Sequence, residues 1–228
     1  MTTIHGFLFD LHGVIADSWQ YHLKSWQTVA QELAVPWTAA LATRLPGMSR
    51  ADSLTTILAS VGRENDLTPA QFQAMTDHEN DLYRQYVAAM TPANRLPGVT
   101  AFLTELQQAD YPVALASAST NAAAEIERLG LTAVFDKIVP AASLAASKPA
   151  PDVYLAAADL LHLAPSACVA FEDTVTGVQA ATAAGCITIG INANPLEPVA
   201  AMLPGTHALS LATVRRVLAP QVVLAERP

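Results

Sequence analysis

Five short runs in this chain lack the alternation that a strand with one wet face would show. They are FLFDL (7–11), PVALAS (112–117), KIVPA (137–141), CVAFED (168–173) and ITIGI (187–191). Each is apolar on both faces and bounded by Gly, Pro or polar turn residues, the pattern of strands buried in a parallel sheet. Segments with helical start and stop signals separate most of them. TNAAAEIERLG (120–130) opens on Thr-Asn and stops at Gly; PDVYLAAADLLHLA (151–164) opens on Pro; TVTGVQAATAAG (174–185) again stops at Gly. Alternating strands and helices predict an α/β fold, a Rossmann-like parallel sheet with helices on both faces and right-handed crossovers. Residues 17–90 break the alternation: SWQYHLKSWQTVAQELAV, SRADSLTTILASVG and TPAQFQAMTDHENDLYRQYVAAM read as amphipathic helices with no strand among them. The expected organisation is a core from 1–16 and 91–228, with an inserted helical domain at 17–90.

Composition narrows the function. The 228 residues are 52% hydrophobic and 14% charged, which suits a folded chain with a substantial core. The net charge of −8, with scattered Lys and Arg, argues against nucleic acid or an anionic membrane as partner. An anionic substrate would need local cations or a metal. No run is long enough to cross a bilayer, and MTTIHGFLFD carries no secretory-leader pattern, so a cytoplasmic protein is expected. Cys168 and Cys186 lack CxxC spacing and read as buried thiols.

In open parallel sheets, ligands bind beyond the carboxyl ends of the strands. The polar residues at those ends form a set: Asp10 after the first run, Ser117 ending the second, Lys148 in the loop after the third, Glu172 and Asp173 ending the fourth. One nucleophile, one hydroxyl with backbone donors, one cation and an acidic pair suit a phosphoryl group beside a hard divalent cation. Singly, each has an ordinary structural role as a turn, cap or helix-dipole residue. Their occurrence together, at successive strand ends, is what points to a site.

These stretches carry a resemblance. FDLHGVIADS, YHLKSW (21–26), GMSRADS (47–53), ALASAST (114–120), ASKPAPDVY (146–154) and EDTVTGVQAATAAG (172–185) resemble the haloacid dehalogenase superfamily of phosphotransferases, and within it the β-phosphoglucomutases. The resemblance implies a Mg²⁺-dependent enzyme of carbohydrate metabolism, acting as a monomer on a sugar phosphate. It would interconvert β-glucose 1-phosphate and glucose 6-phosphate through an aspartyl phosphate and a bisphosphate. Asp10 would be the nucleophile. Asp10, Glu172, Asp173 and the backbone carbonyl of His12 would hold Mg²⁺. Ser117 and the amide of Ala118 would hold the transferring phosphoryl oxygens, and Lys148 would neutralise charge. The helical insert would be a cap closing over the sugar to exclude water. Arg50 would hold the non-transferring phosphate with Ser119 and Asn121, Arg because its planar fork meets phosphate bidentately. Gly47, Ser49, His22 and Trp26 would complete the substrate site; His22 and Trp26 lie four apart on one helix face. For Trp26, packing inside the cap is an equal alternative.

His12 departs from the family pattern, which has an aspartate there as general acid and base. Histidine can exchange protons near its ordinary pKa of about 6.5, but it is bulkier. Losing that role would cost roughly 10²–10⁴-fold. Three outcomes stay open: a working replacement, a binding-competent but inactive protein, or a shift towards sugar-phosphate hydrolysis. Pro46, Glu79 and Thr120 stand where well-known bacterial members carry lysines, which raises the phosphatase alternative. A dehalogenase would leave Glu172, Asp173 and Arg50 unexplained. A phosphonate hydrolase would need a cap lysine for a Schiff base, and Lys24 is the only lysine of the insert.

Overall fold

The structure is a computed structural model and describes residues 1–219 and 221–225. The chain divides into two compact units, Met1–Asp17 with Thr91–Pro228, and Ser18–Met90. Part of the tail QVVLAERP, residues 226–228, lies outside the described residues.

The first unit is the α/β body. Its elements in chain order are β1 (Thr2–Ile4), β2 (Gly6–Phe9), α5 (Val99–Gln108), β3 (Val113–Leu115), α6 (Ala122–Arg128), α7 (Asp152–Leu160), β4 (Cys168–Glu172), α8 (Val175–Ala183), β5 (Ile187–Ile191), β6 (Ala201–Leu203), α9 (Leu211–Leu218) and β7 (Val222–Leu224). Five strands form one parallel sheet in the order β3-β2-β4-β5-β6. β1 and β7 make a separate parallel pair.

The sequence explains both faces of that sheet. Alternate residues of a strand point to opposite sides. On one face Phe7 and Phe9 of β2 stack on Phe171 of β4, with ring centroids 6.2 and 4.9 Å apart, and Phe102 of α5 meets Phe171 edge-on at 5.5 Å. On the other face, apart from Leu8, the strand residues are small: Ala114, Ala116, Cys168 and Ala170 pack with Ala157 and Ala158 of α7 and Ala180 and Ala181 of α8. Short side chains let those two helices pack close to the strands. Both cysteines are buried there as free thiols, and burial pushes each up to about 12, so they act as small core residues.

KIVPA is not a strand. Its pairing reduces to a single bridge between Ile138 and Leu115, flanked by hydrogen bonds from Leu115 N–H to the Lys137 carbonyl and from Val139 N–H to the Leu115 carbonyl. Pro140, which has no N–H, and the 3₁₀ turn Ala141–Ser143 stop it from propagating. β1, β6 and β7, three residues each, were not expected.

The second unit is helical: α1 (Trp19–Glu32), α2 (Ala39–Ala42), α3 (Arg50–Ala59) and α4 (Pro69–Ala89). Ser49 caps α3, accepting from the Asp52 N–H. Thr68 and Gln71 form a capping box on α4, with Pro69 in its first turn. Trp26, Val29, Leu41, Leu54, Ile57 and Leu58 form its apolar centre. No helix among the described residues is long and apolar enough to cross a membrane.

Phe171 is fully buried at the meeting point of three other rings. Phe171→Ala is expected to cost about 3–5 kcal/mol, read as a lower urea midpoint by circular dichroism.

Candidate active site

The sheet order places a topological switch at β2 and β4. The chain leaves β2 for β3 on one side and later returns to β4 on the other, which opens a crevice at their carboxyl ends. Asp10 follows β2 directly, and its N–H donates to the Phe171 carbonyl at 3.1 Å, tying it to β4. Glu172 ends β4 and Asp173 follows. Lys148 reaches between them: its Nζ donates to Asp10 Oδ1 at 2.8 Å and to Glu172 Oε1. Burial alone would push this ammonium down, but the two carboxylates outweigh it and hold it above its ordinary value.

The carboxylates of Asp10, Glu172 and Asp173 each offer an oxygen within 4.8 Å of the others. Burial pushes both Glu172 and Asp173 up. Asp10 adds to the rise at Glu172, and Glu172 with Asp10 adds to it at Asp173. Lys148 offsets only part of that repulsion. Asp173 Oδ1 is buried and has no hydrogen-bond partner among the described residues. Three converging hard oxygen donors, a surplus of negative charge and an unsatisfied carboxylate oxygen fit Mg²⁺. Glu172 differs from the other two. Its Oε1 is taken by Lys148 and by the Tyr154 hydroxyl at 2.8 Å, and its Oε2 by the Asp173 N–H at 3.1 Å and the Thr174 hydroxyl at 3.2 Å. It organises the site from beneath, while Asp10 and Asp173 are the more available oxygens.

After β3 the chain forms a linked loop. Ala116 N–H donates to the Phe9 carbonyl at 2.7 Å, Ser119 N–H to Ser117 Oγ at 3.2 Å, and Asn121 N–H to Ser119 Oγ at 3.2 Å. Ser117 is buried and Ala118 exposed. Ser117 therefore braces the loop rather than capping α6, and the loop is shaped before any ligand arrives.

Residues 7–191 match the family model described as haloacid dehalogenase-like hydrolase. The chain belongs to that family. It is 36% identical to the β-phosphoglucomutase of Bacillus subtilis over 81% of each chain. It is 33% identical to hexitol phosphatase A of Escherichia coli over 82% of this chain and 83% of that one. The crystal structure of a β-phosphoglucomutase from Clostridium difficile superposes with a TM-score of 0.89 at 27% identity, covering 94% of this chain and 97% of that one.

Position 12 lies two residues past Asp10. His12 is buried, and its Nε2 lies 3.2 Å from Oε1 of Glu125 on α6. Burial, the largest single influence, pushes the imidazole down, but the charge and hydrogen bond of Glu125, with Asp10 adding, hold it above its ordinary value. Glu125 gives no sequence signal, being 113 positions from His12. Tyr154 and Thr174 stood inside quoted motifs without a role. Two glycines also belong to the site. Gly13, at φ +78°, lies so near Asp173 that a Cβ would strike its carboxylate; a Cβ on Gly177 would strike that of Glu172.

In the helical unit, His22 Nδ1 lies 3.0 Å from Oε1 of the buried Glu79, and its ring stacks on Tyr83 at 3.6 Å. Trp26 is buried in the apolar centre of this unit. Gly47 has φ +82°, Ser49 caps α3, and Arg50 opens that helix.

Gly177→Ala would displace the Glu172 carboxylate that aligns Lys148. Second-layer changes of this kind typically cost 10–100-fold in metal affinity. A loss of about that size is expected for Mg²⁺, measured by titration calorimetry on protein whose circular dichroism is unchanged.

Proposed function

We propose that this chain is a β-phosphoglucomutase-like phosphotransferase that interconverts β-D-glucose 1-phosphate and D-glucose 6-phosphate in the cytoplasm. The route runs through a phosphorylated Asp10 and a bisphosphate intermediate. The observation that carries the reading is Asp10 at the β2–β4 switch point, 2.8 Å from Lys148 and within the carboxylate cluster. The 36% identical mutase supports the choice of sugar phosphate.

In this reading an Asp10 oxygen attacks phosphorus in line with the leaving sugar oxygen. Lys148 neutralises charge on the nucleophile and on the phosphoryl oxygens. The Ser117 hydroxyl and the Ala118 N–H hold two of those oxygens as they turn equatorial. His12 gives its proton to the departing oxygen and takes one from the hydroxyl that later attacks the aspartyl phosphate. Asp10, Asp173, the His12 carbonyl and Glu172 would hold Mg²⁺, which when bound withdraws negative charge from the phosphoryl group. Arg50, with Ser119 and Asn121, is the proposed holder of the second phosphate, and His22, Gly47 and Ser49 are proposed sugar contacts. These assignments rest on the family resemblance and on the chemistry of the side chains.

A second reading, a Mg²⁺-dependent sugar-phosphate phosphatase, is favoured by the 33% identical hexitol phosphatase and by a histidine at position 12. The products decide between them. With β-glucose 1-phosphate, Mg²⁺ and a trace of glucose 1,6-bisphosphate, the mutase yields glucose 6-phosphate with little inorganic phosphate. Stoichiometric phosphate without isomerised sugar would replace the mutase by the phosphatase. Asp10→Asn is expected to abolish acid-stable labelling by ³²P acetyl phosphate under either reading; label surviving in that variant would remove Asp10 as nucleophile.

A further inference from the structure

The phosphotransfer reading leaves one buried acid unused. Glu125 is fully buried, in the first turn of α6. An acidic residue that serves only the helix dipole lies at the surface, where it remains hydrated. Here Oε1 is directed to His12 Nε2 at 3.2 Å, while Oε2 is buried with no hydrogen-bond partner among the described residues. A buried carboxylate satisfied on one oxygen is costly unless a positive or strongly donating group faces it. The group that faces it is the side chain that departs from the family pattern. The N-cap of α6 is Asn121, where the Ser117–Ser119–Asn121 loop ends. Glu125 therefore ties the loop carrying position 12 to the helix that carries the phosphate loop.

We propose that Glu125 is a positioning residue for His12, and that histidine at 12 and glutamate at 125 form a matched pair that cannot be exchanged one at a time. The proposal rests on the reading of Asp10 as phosphoryl acceptor. The carboxylate only accepts, so Nε2 carries the hydrogen of the pair, and proton exchange with the substrate runs through Nδ1. A carboxylate on one ring nitrogen fixes the tautomer and ring plane for the other, as in any acid–imidazole dyad. In the forward step the Asp10 oxygen–phosphorus bond forms as the bond from phosphorus to the sugar oxygen breaks. The His12 proton passes to that oxygen, which leaves as a neutral hydroxyl. In the return step a sugar hydroxyl gives its proton back to His12 as it attacks phosphorus and frees Asp10. An aspartate at position 12, the usual family residue, would here face a second buried carboxylate, and their repulsion would oppose the ionised form needed for the return step.

Two measurements test this. The first is phosphorylation of Asp10 by acetyl phosphate and by phenyl phosphate in the parent, Glu125→Gln, Glu125→Ala, His12→Asp and His12→Asp/Glu125→Gln. Acetate departs without a proton, whereas phenoxide is a poor leaving group. Glu125→Ala is expected to slow reaction with phenyl phosphate roughly 10²-fold in kcat, with KM within about twofold, and to leave acetyl phosphate labelling nearly unchanged. Glu125→Gln, which keeps a polar partner of the same shape, should recover part of the loss. His12→Asp should fall below the parent, and the double variant should exceed His12→Asp. Equal slowing with both donors, no slowing with either, or a His12→Asp protein at least as active as the parent overturns the proposal. The second is the ¹⁵N imidazole spectrum of His12, which needs no turnover. The parent should show hydrogen on Nε2, lost as the dominant form in Glu125→Ala; an unchanged tautomer also overturns it. Failure of acetyl phosphate to label the parent at all would instead overturn the reading of Asp10, and the spectrum would still decide the pairing.

Discussion

The site is organised around one ammonium between two carboxylates. Lys148 sits on Asp10 and Glu172 in a largely buried place, with Asp173 close by. Three acids and one cation do not balance: burial first, and then the charge of the neighbouring carboxylates, raises Glu172 and Asp173 above their ordinary range. The fold sustains the surplus through hydrogen bonds to Glu172 from the Tyr154 hydroxyl on α7, the Thr174 hydroxyl that caps α8 and the Asp173 N–H. Those helices reach it because the sheet face beneath them is lined with alanine and cysteine, and because position 177 lacks a Cβ. Packing on one face of the sheet and charge at its carboxyl edge are therefore one problem. Larger residues under α7 or α8 would lift away the donors that keep Glu172 buried. The remaining negative charge then suits a divalent cation.

Much of this was legible in the sequence, for a specific reason. Strands buried on both faces are continuous apolar runs, and a residue just past such a run is placed at the sheet's carboxyl edge by chain connectivity alone. That is why the sequence alone assigns Asp10, Ser117, Glu172 and Asp173 to one edge. KIVPA failed because its apolar pattern was not matched by available backbone donors: Pro140 ends the pairing after one bridge. β1, β6 and β7 were missed because β1 opens on two threonines rather than an apolar run, and the short apolar stretches of β6 and β7 do not by themselves tell a strand from other buried segments. Glu125 was missed for a deeper reason. Its role is set by a contact across 113 positions, and its local context, an acid in the first turn of a helix, is the commonest setting for an unremarkable glutamate. Tyr154 was quoted as part of a motif, but nothing local says that its hydroxyl must find a buried carboxylate.

The same solution recurs within the helical unit. His22 faces the fully buried Glu79 and stacks on Tyr83, much as His12 faces the fully buried Glu125. Only 12 Lys and Arg stand against 20 Asp and Glu in this chain, and just three of the cations are lysines. Where an acid is buried, imidazole is the partner used at both of these positions. Imidazole is a compact, planar donor with two distinct nitrogens, so pairing one with a carboxylate fixes how the other is presented. A lysine or arginine would satisfy the acid equally well but could not then pass a proton near neutral pH. At position 12 that difference bears on function. In the proposed function, a histidine held by a buried glutamate keeps a route for proton exchange beside the proposed nucleophile, whereas a second aspartate there would add a fourth acid to a site that already has one cation for three. On this argument the histidine at position 12 and the buried acid at position 125 have one electrostatic cause.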